Sequence, residues 1–330
     1  MTKVNKRAVF RPFFVVKNVV KYDIMLDFQN ISLDLKPTID KYYYLYGEGS
    51  CQHSFAASFC LQSKYLDKFC VKDDVLYINR EGLSDEKYKT YLFPMCDRDD
   101  RLKIKSAIDN IIEDARNDNK KVKFETITEK CKDIVNELYP NNFIIEDCRD
   151  LYEYIYEAQT LMDLPGSTFL SKRKNINKFF REYADRLTIR TIEERDIPSA
   201  KELHVKWLNV DEERLKDKQL SLEIEALHLA LDNFEALKLR GIVVYIDDVL
   251  AGFAFGSKVS EDYFDGMIEK GDINFKEIYK VLNKELIRLC CTMDTKYVNF
   301  EEDLGVEGLR KSKLMYNPIY LLKKYKVMEA

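Results

Sequence analysis

Apolar residues recur at two different periods along this chain, and the change of period marks its elements. In Arg101–Asn117, Leu102, Ile104, Ile108, Ile111, Ile112 and Ala115 fall at helical spacing. Glu129–Leu138 and Phe275–Cys291 carry the same period, and Ser171–Ala184 does so with Ile176, Phe179, Phe180 and Tyr183 on one side. Further helices are expected at Pro198–Leu215, at Leu222–Leu239 with Gly241 as its stop, and at Gly308–Tyr316 before Pro318. Short alternating or continuous apolar runs predict strands at Tyr91–Met95, Val122–Thr126, Tyr152–Tyr156, Tyr263–Ile268 and Tyr297–Phe300. The tyrosine-dense Lys41–Tyr46, Phe55–Leu61 and the amphipathic Phe10–Val20 also read as strands. Pro318–Met328 reads as an extended close.

Two hairpins share one signature. Phe69-Cys-Val turns at Asp73-Asp74 into Val75-Leu-Tyr-Ile, and Ile242–Tyr245 turns at Asp247-Asp248 into Val249–Phe255. After each hairpin the order strand, helix, strand, helix, strand follows, so the chain repeats an architecture with little repetition of sequence. The prediction is an α/β protein with mixed sheets in two units, residues 1–160 and 161–330, the second bearing the active site.

A length of 330 residues suits two domains, and 46% hydrophobic residues with 12% aromatics supply core material. No run approaches the roughly 18 apolar residues that span a bilayer, and no signal peptide is apparent. No integral membrane segment is expected, and a cytoplasmic protein, with scope for peripheral membrane contact, is. The eight cysteines show no C-x-x-C spacing and the three histidines are scattered, which argues against a metal site or a Cys-His nucleophile. The net charge of −4 conceals an asymmetry: Leu170–Arg190 carries +5 and Gly308–Val327 carries +6, leaving −15 on the rest. Two local anion-facing patches are therefore expected rather than a general affinity for nucleic acid or membrane.

The stretch Tyr297–Pro318 joins a strand, the acidic trio Glu301-Glu302-Asp303, Gly305, Gly308 and a basic helix with Arg310, Lys311 and Lys313. Its DLGVEGLRKSKLMYNP resembles the closing motif of the phosphatidylglycerol lysyltransferase C-terminal family, GNAT-like acyltransferases related to the Fem aminoacyl transferases. A second block, LPGSTFLSKRKNINKFFREY over Leu164–Tyr183, is similar to that family in Gly166, Lys172-Arg173 and Ile176-Asn177-Lys178-Phe179. The resemblance extends by element order over most of the chain and implies two tandem GNAT-like domains.

The resemblance also implies chemistry. A GNAT that uses acyl-CoA holds the pyrophosphate on a glycine-spaced loop at a helix N-terminus. The equivalent loops here, Cys96–Asp100 and Glu269–Asn274, offer no glycine and one glycine respectively. Acetyl-CoA is thus disfavoured, no cofactor is expected, and the donor implied is aminoacyl-tRNA or another acyl donor. The acceptor is an amine or hydroxyl on a small molecule or a lipid headgroup. Glu269, Lys313 and Tyr316 are the expected catalytic residues, and Lys172, Arg173, Asn177, Lys270, Asn299, Asp303 and Arg310 the expected substrate contacts. Lys172, Arg173, Arg310 and Lys313 should border one pocket with Glu269 on its floor. Relatives often carry histidine where this chain has Met267, which keeps open a catalytically silent tandem-GNAT binding module. A conventional acyl-CoA N-acyltransferase is the remaining alternative.

Overall fold

Both hairpins turn on two aspartates with left-handed backbone, Asp73 and Asp74 at φ 51° and 61°, and Asp247 and Asp248 at φ 50° and 63°. Positive φ at both central residues is the type I′ geometry, whose twist matches that of the strands it joins. The computed structural model describes residues 25–208 and 218–330. The strand expected at Phe10–Val20 and the end of the helix expected to Leu215 lie outside the described residues.

In chain order the first half contains β1 (Gln29–Asn30), α1 (Lys36–Tyr46), α2 (Phe55–Cys60), α3 (Gln62–Tyr65), β2 (Asp67–Lys72), β3 (Val75–Arg80) and β4 (Tyr88–Tyr91). It continues with α4 (Arg101–Asn117), β5 (Lys121–Thr128), α5 (Glu129–Leu138) and β6 (Phe143–Asp147). Asp100 caps α4 through the amide of Lys103, and Thr128 caps α5 through that of Cys131. Two expected strands are helices instead. In α1, Pro37 sits in the first turn and Ile39, Tyr42 and Tyr43 bury one face at helical spacing. In α2, Ser54 caps the helix by accepting from the Ala57 amide. Tertiary burial overrides the strand preference of their aromatic residues.

The second half contains β7 (Glu153–Glu157), α6 (Ala158–Asp163), α7 (Leu170–Tyr183), β8 (Leu187–Thr191), α8 (Ile197–Leu208), α9 (Lys218–Asp232) and β9 (Arg240–Ile246). It closes with β10 (Val249–Lys258), β11 (Tyr263–Gly271), α10 (Ile278–Cys290), β12 (Tyr297–Asn299), α11 (Glu307–Leu314), β13 (Tyr320–Leu322) and β14 (Lys324–Glu329). Gly241 is not a helix stop but lies within β9; the turn after α9 is made with Lys238 at φ 56°.

The strands form two seven-stranded mixed sheets, β1-β2-β3-β4-β5-β14-β6 and β13-β7-β12-β11-β10-β9-β8. The pairing carries two strands across the boundary expected at residue 160. Strand β7 joins the second sheet beside β12, and the C-terminal β14 lies between β5 and β6 of the first. One core lies against α4 and α5, and another against α6, α7 and α10. A third is shared by the lobes: Tyr43, Phe55 and Ile78 from the first pack in one cluster with Leu203, Phe253 and Phe255 from the second. That shared cluster removes apolar surface of both lobes from water and so couples their stabilities.

Two features of β11 position the site. It pairs with β12 in parallel only from Tyr263 to Asp265, then runs on to Gly271 after β12 has ended. Against β10, Ser257 opposes Asp265 but Phe255 opposes Ile268, so β11 carries an extra residue between them. This β-bulge turns both Met267 and Ile268 onto the shared core and sends Glu269 to the other face. Without the extra residue, Glu269 would share a face with Asp265.

Candidate functional site

Glu269 therefore stands at the open edge of β11, on the face covered by α10. Asn283 of α10 donates to its Oε2 at 3.0 Å, while Oε1 is enclosed and has no hydrogen-bond partner among the described residues. Burial pushes the carboxyl up to about 7, against the opposing pull of Lys313 and the Asn283 hydrogen bond. The Tyr316 hydroxyl is raised by burial and then by the Glu269 charge, which places it in the same neighbourhood. The ammonium of Lys172 lies over the Tyr316 ring, 4.5 Å from its centre, and donates to the Met315 carbonyl at 2.7 Å. Burial and nearby Lys280 lower the Lys172 pKa.

The two basic segments thus meet at Lys172 and Met315, but most of their cationic heads serve the protein itself. Arg173 closes the loop before α7 by donating to the carbonyls of Leu164 and Gly166. Lys313 donates to the carbonyls of Phe300 and Glu302. Arg310 holds buried Asp303 through two hydrogen bonds of 2.9 and 2.7 Å and reaches Asp150 at 2.7 Å. Asp303 also accepts from Tyr154, Arg149 and the Gly305 amide. Burial works against this carboxylate, yet Arg310 and Tyr154 hold it well below the usual range. Asn177 lies on the exposed side of α7. Lys270 points away from Glu269, as its neighbour in a strand must, and stacks over Trp207 while pairing with Glu223.

Asn299 belongs to a different constellation, on the face of the second sheet that meets the first lobe. It donates to Glu153 at 2.6 Å and to the carbonyl of Gly49 at 2.9 Å. Gly49 has φ 70° and its Cα hydrogens face the Tyr263 ring so closely that a Cβ would come within 2.4 Å of it. Glu153 also accepts from Ser50 and the Cys51 amide, and pairs with fully buried Lys324 at 2.6 Å. Burial opposes its charge, but Lys324 and these hydrogen bonds keep it below the ordinary carboxylate value.

Next to this satisfied carboxylate stand three more acids, Asp265, Glu301 and Glu302, of which Glu302 accepts from the Cys51 thiol at 3.7 Å. Asp265 is fully buried and neither oxygen has a hydrogen-bond partner among the described residues. Burial, then Glu153 and Glu302, push it well above the carboxylate range. Glu301 and Glu302 are raised in the same way, by burial first and then by their acidic neighbours. Lys313 attenuates the shift at Asp265, Glu269, Glu301 and Glu302 alike, and Lys324 adds to that attenuation at Glu302. Sequence patterning did not single out Asp265 or Glu153, because an acid in an alternating strand reads as a solvent-facing position. Only the pairing of β7, β12 and β11 turns that face inward.

Comparison with known proteins places the architecture. Residues 43–328 match the family described as phosphatidylglycerol lysyltransferase, C-terminal. A conserved protein of unknown function from Bacteroides thetaiotaomicron is 29% identical, with a TM-score of 0.85 over 93% of this chain and 100% of that one. The L-PGS of Bacillus licheniformis is similar in fold, with a TM-score of 0.62 at 13% identity over 89% of this chain and 91% of its own. The C-terminal domain of a putative lysylphosphatidylglycerol synthetase from Agrobacterium fabrum gives 0.57 at 12% identity over 88% and 93%. A curated relative, an uncharacterised protein of Mycoplasmoides gallisepticum, is 25% identical over 175 residues, 53% of this chain and 55% of that protein. The chain spans about half the length of that curated relative. The two mixed sheets in series are thus a fold shared with the L-PGS of Bacillus licheniformis and the lysylphosphatidylglycerol synthetase domain of Agrobacterium fabrum. With most of its length matched, the chain belongs to the phosphatidylglycerol lysyltransferase C-terminal family.

Proposed function

We propose that the protein transfers an aminoacyl group from aminoacyl-tRNA to an amine or hydroxyl acceptor, with Glu269 as the general base. The observation that carries this reading is the Glu269 carboxyl: one oxygen is held by Asn283, the other is unpartnered, and its pKa is about 7. A base poised near the working pH combines adequate ionisation with adequate basicity. Glu269 takes the proton of the acceptor as it attacks the ester carbonyl. The carbon–oxygen bond to the ribose then breaks, and the leaving oxygen takes a proton from Tyr316. Proton return from Glu269 to Tyr316 restores both groups. Lys172 over the Tyr316 ring favours the transient tyrosinate, and Lys313 acts as a positioning residue that fixes the loop after β12.

The donor assignment is supported by the start of α10. Asp272 and Glu277 flank that helix N-terminus, where a coenzyme pyrophosphate would need amides and positive charge. Asp272 already pairs with Lys206 and accepts from the Asn274 amide. Exposed Lys174, Lys178 and Arg181 on α7 are suited to tRNA phosphates. A second reading, a silent binding module, is favoured by Met267, which packs toward the shared core rather than beside Glu269. Single-turnover assays with charged tRNA separate the two. Transfer should occur in the wild type and fall about a hundredfold or more in Glu269→Gln; no turnover with any acceptor amine or alcohol leaves the silent module.

A further inference from the structure

On the opposite face of the second sheet from Glu269, a cavity of about 320 Å³ lies between the lobes. Glu301 and Glu302 line it from the second lobe, and Tyr65, Arg80, Glu125 and Thr126 from the first. The last two are aimed inward by a second β-bulge. Tyr325 opposes Ile127 and Val327 opposes Phe124, so Glu125 and Thr126 together face Lys326 across the ladder. Thr126 has φ 51°, a conformation that β-branched residues rarely adopt. It is 9% exposed, and its hydroxyl has no hydrogen-bond partner among the described residues.

The charges around the cavity are unevenly matched. Arg80 is neutralised by buried Asp67 through two hydrogen bonds of 2.9 Å, and it also donates to the Gln52 side chain at 2.7 Å. Glu125 has Lys326 at 3.6 Å. Glu301 and Glu302 have no salt-bridge partner among the described residues, because Lys313 is bound to backbone carbonyls and Lys324 to Glu153. Asp265, with no hydrogen-bond partner among the described residues, is the acidic neighbour that weighs most on ionisation of Glu301. Lys64 at the rim is exposed and lies over the Tyr65 ring. Neither Arg80 nor Lys64 pairs with Glu301 or Glu302, and a ligand with several N–H donors and positive charge would supply that partner.

We propose that this cavity binds a small aliphatic polyamine, with primary ammonium groups donating to Glu301, Glu302 and the Thr126 hydroxyl. A volume near the lower end of ligand pockets suits such a thin chain. The site is additional to the transferase reading. It rests on that reading only if the bound amine is also an acyl acceptor; binding itself needs no transfer. Because Glu301 and Glu302 retain protons more strongly than ordinary carboxylates, the ammonium groups must drive protons off as they bind.

Isothermal titration of the full chain with spermidine, in two buffers of different ionisation heat, tests this. Expected are saturable binding, release of protons, and about tenfold or greater weakening in each of the isosteric variants Thr126→Val and Glu302→Gln. Tetramethylammonium, which has charge but no N–H, should give no saturable heat. The ammonium could instead come from an aminoacyl group, so lysine amide forms a separate arm. Tighter binding of lysine amide than of spermidine would overturn the polyamine assignment, as would no spermidine binding, binding without proton release, or binding indifferent to both variants. Loss of transfer with spermidine binding intact refutes only the transferase reading, and transfer without spermidine binding refutes only this site.

Discussion

Arg310 grips Asp303 side by side, with Nε and Nη2 each bonded to one carboxylate oxygen, and so spends within the protein the charge that its sequence position offered to a ligand. Asp303 is fully buried, and Tyr154 and Arg149 converge on the same group. Asp303→Ala removes the shared acceptor of three side chains and should cost about 3 kcal/mol in urea denaturation. The folded pKa is depressed, so the stabilisation is present above the unfolded value near about 4 and is lost as pH falls below it. A variant as stable as wild type at pH 7 would mean that the node is ornamental.

Glu269 titrates in the opposite sense. Its folded pKa, about 7, lies above the unfolded value of roughly 4.3, so the folded state retains the proton in that interval. The contribution of Glu269 to stability should fall as pH rises from about 4 to 7 and level off above it, while the rate of acyl transfer rises through pH 7. Glu269→Gln should remove this component from both profiles, and at pH 8 it should be more stable than wild type by about 2 kcal/mol. A stability profile unchanged by this variant would place the titration elsewhere.

What could be read from the sequence divides along physical lines. Helices α4 and α5 were legible to the residue, because a long apolar period, a capping side chain and burial of one face all agree. Both aspartate hairpins were legible from the turn alone. Lys41–Tyr46 and Phe55–Leu61 were not, since their aromatic content favours strands while burial in the shared core decides for helices. At the site, position on β11 located Glu269, but the fates of Arg310, Lys313 and Arg173 depended on carbonyls and carboxylates brought close only by tertiary structure. Asp265 and Thr126 were hidden for a related reason: each depends on the register beside a bulge, and register is a property of two strands.

Acetyl-CoA should give no saturable heat when titrated into the protein, because Glu277 is the N-cap of α10 and Asp272 lies in the loop before it. Charged tRNA should bind, with an affinity that falls linearly in a plot of log K against log salt. Replacing exposed Lys178 with alanine should lower the slope by about 0.7 to 0.9 if it touches a phosphate. Micromolar binding of acetyl-CoA would instead favour a conventional acyl-CoA transferase.

The link between the lobes at Lys324 and Glu153 supports the last prediction. Lys324 begins β14, in the first sheet, and Glu153 begins β7, in the second; their side chains meet at 2.6 Å and each is only 1% exposed. Lys324→Met leaves Glu153 with Ser50, Asn299 and the Cys51 amide but no cation, in a neighbourhood that already holds Asp265 and Glu302. The loss should be about 3 to 5 kcal/mol. The double variant Lys324→Met, Glu153→Gln removes the uncompensated charge while preserving most of the shape, and should recover at least half of that loss. Urea denaturation of the wild type, both single variants and the double variant measures the coupling. If the two single losses simply add, the pair does not act as a unit and the lobes are joined by their shared apolar core alone.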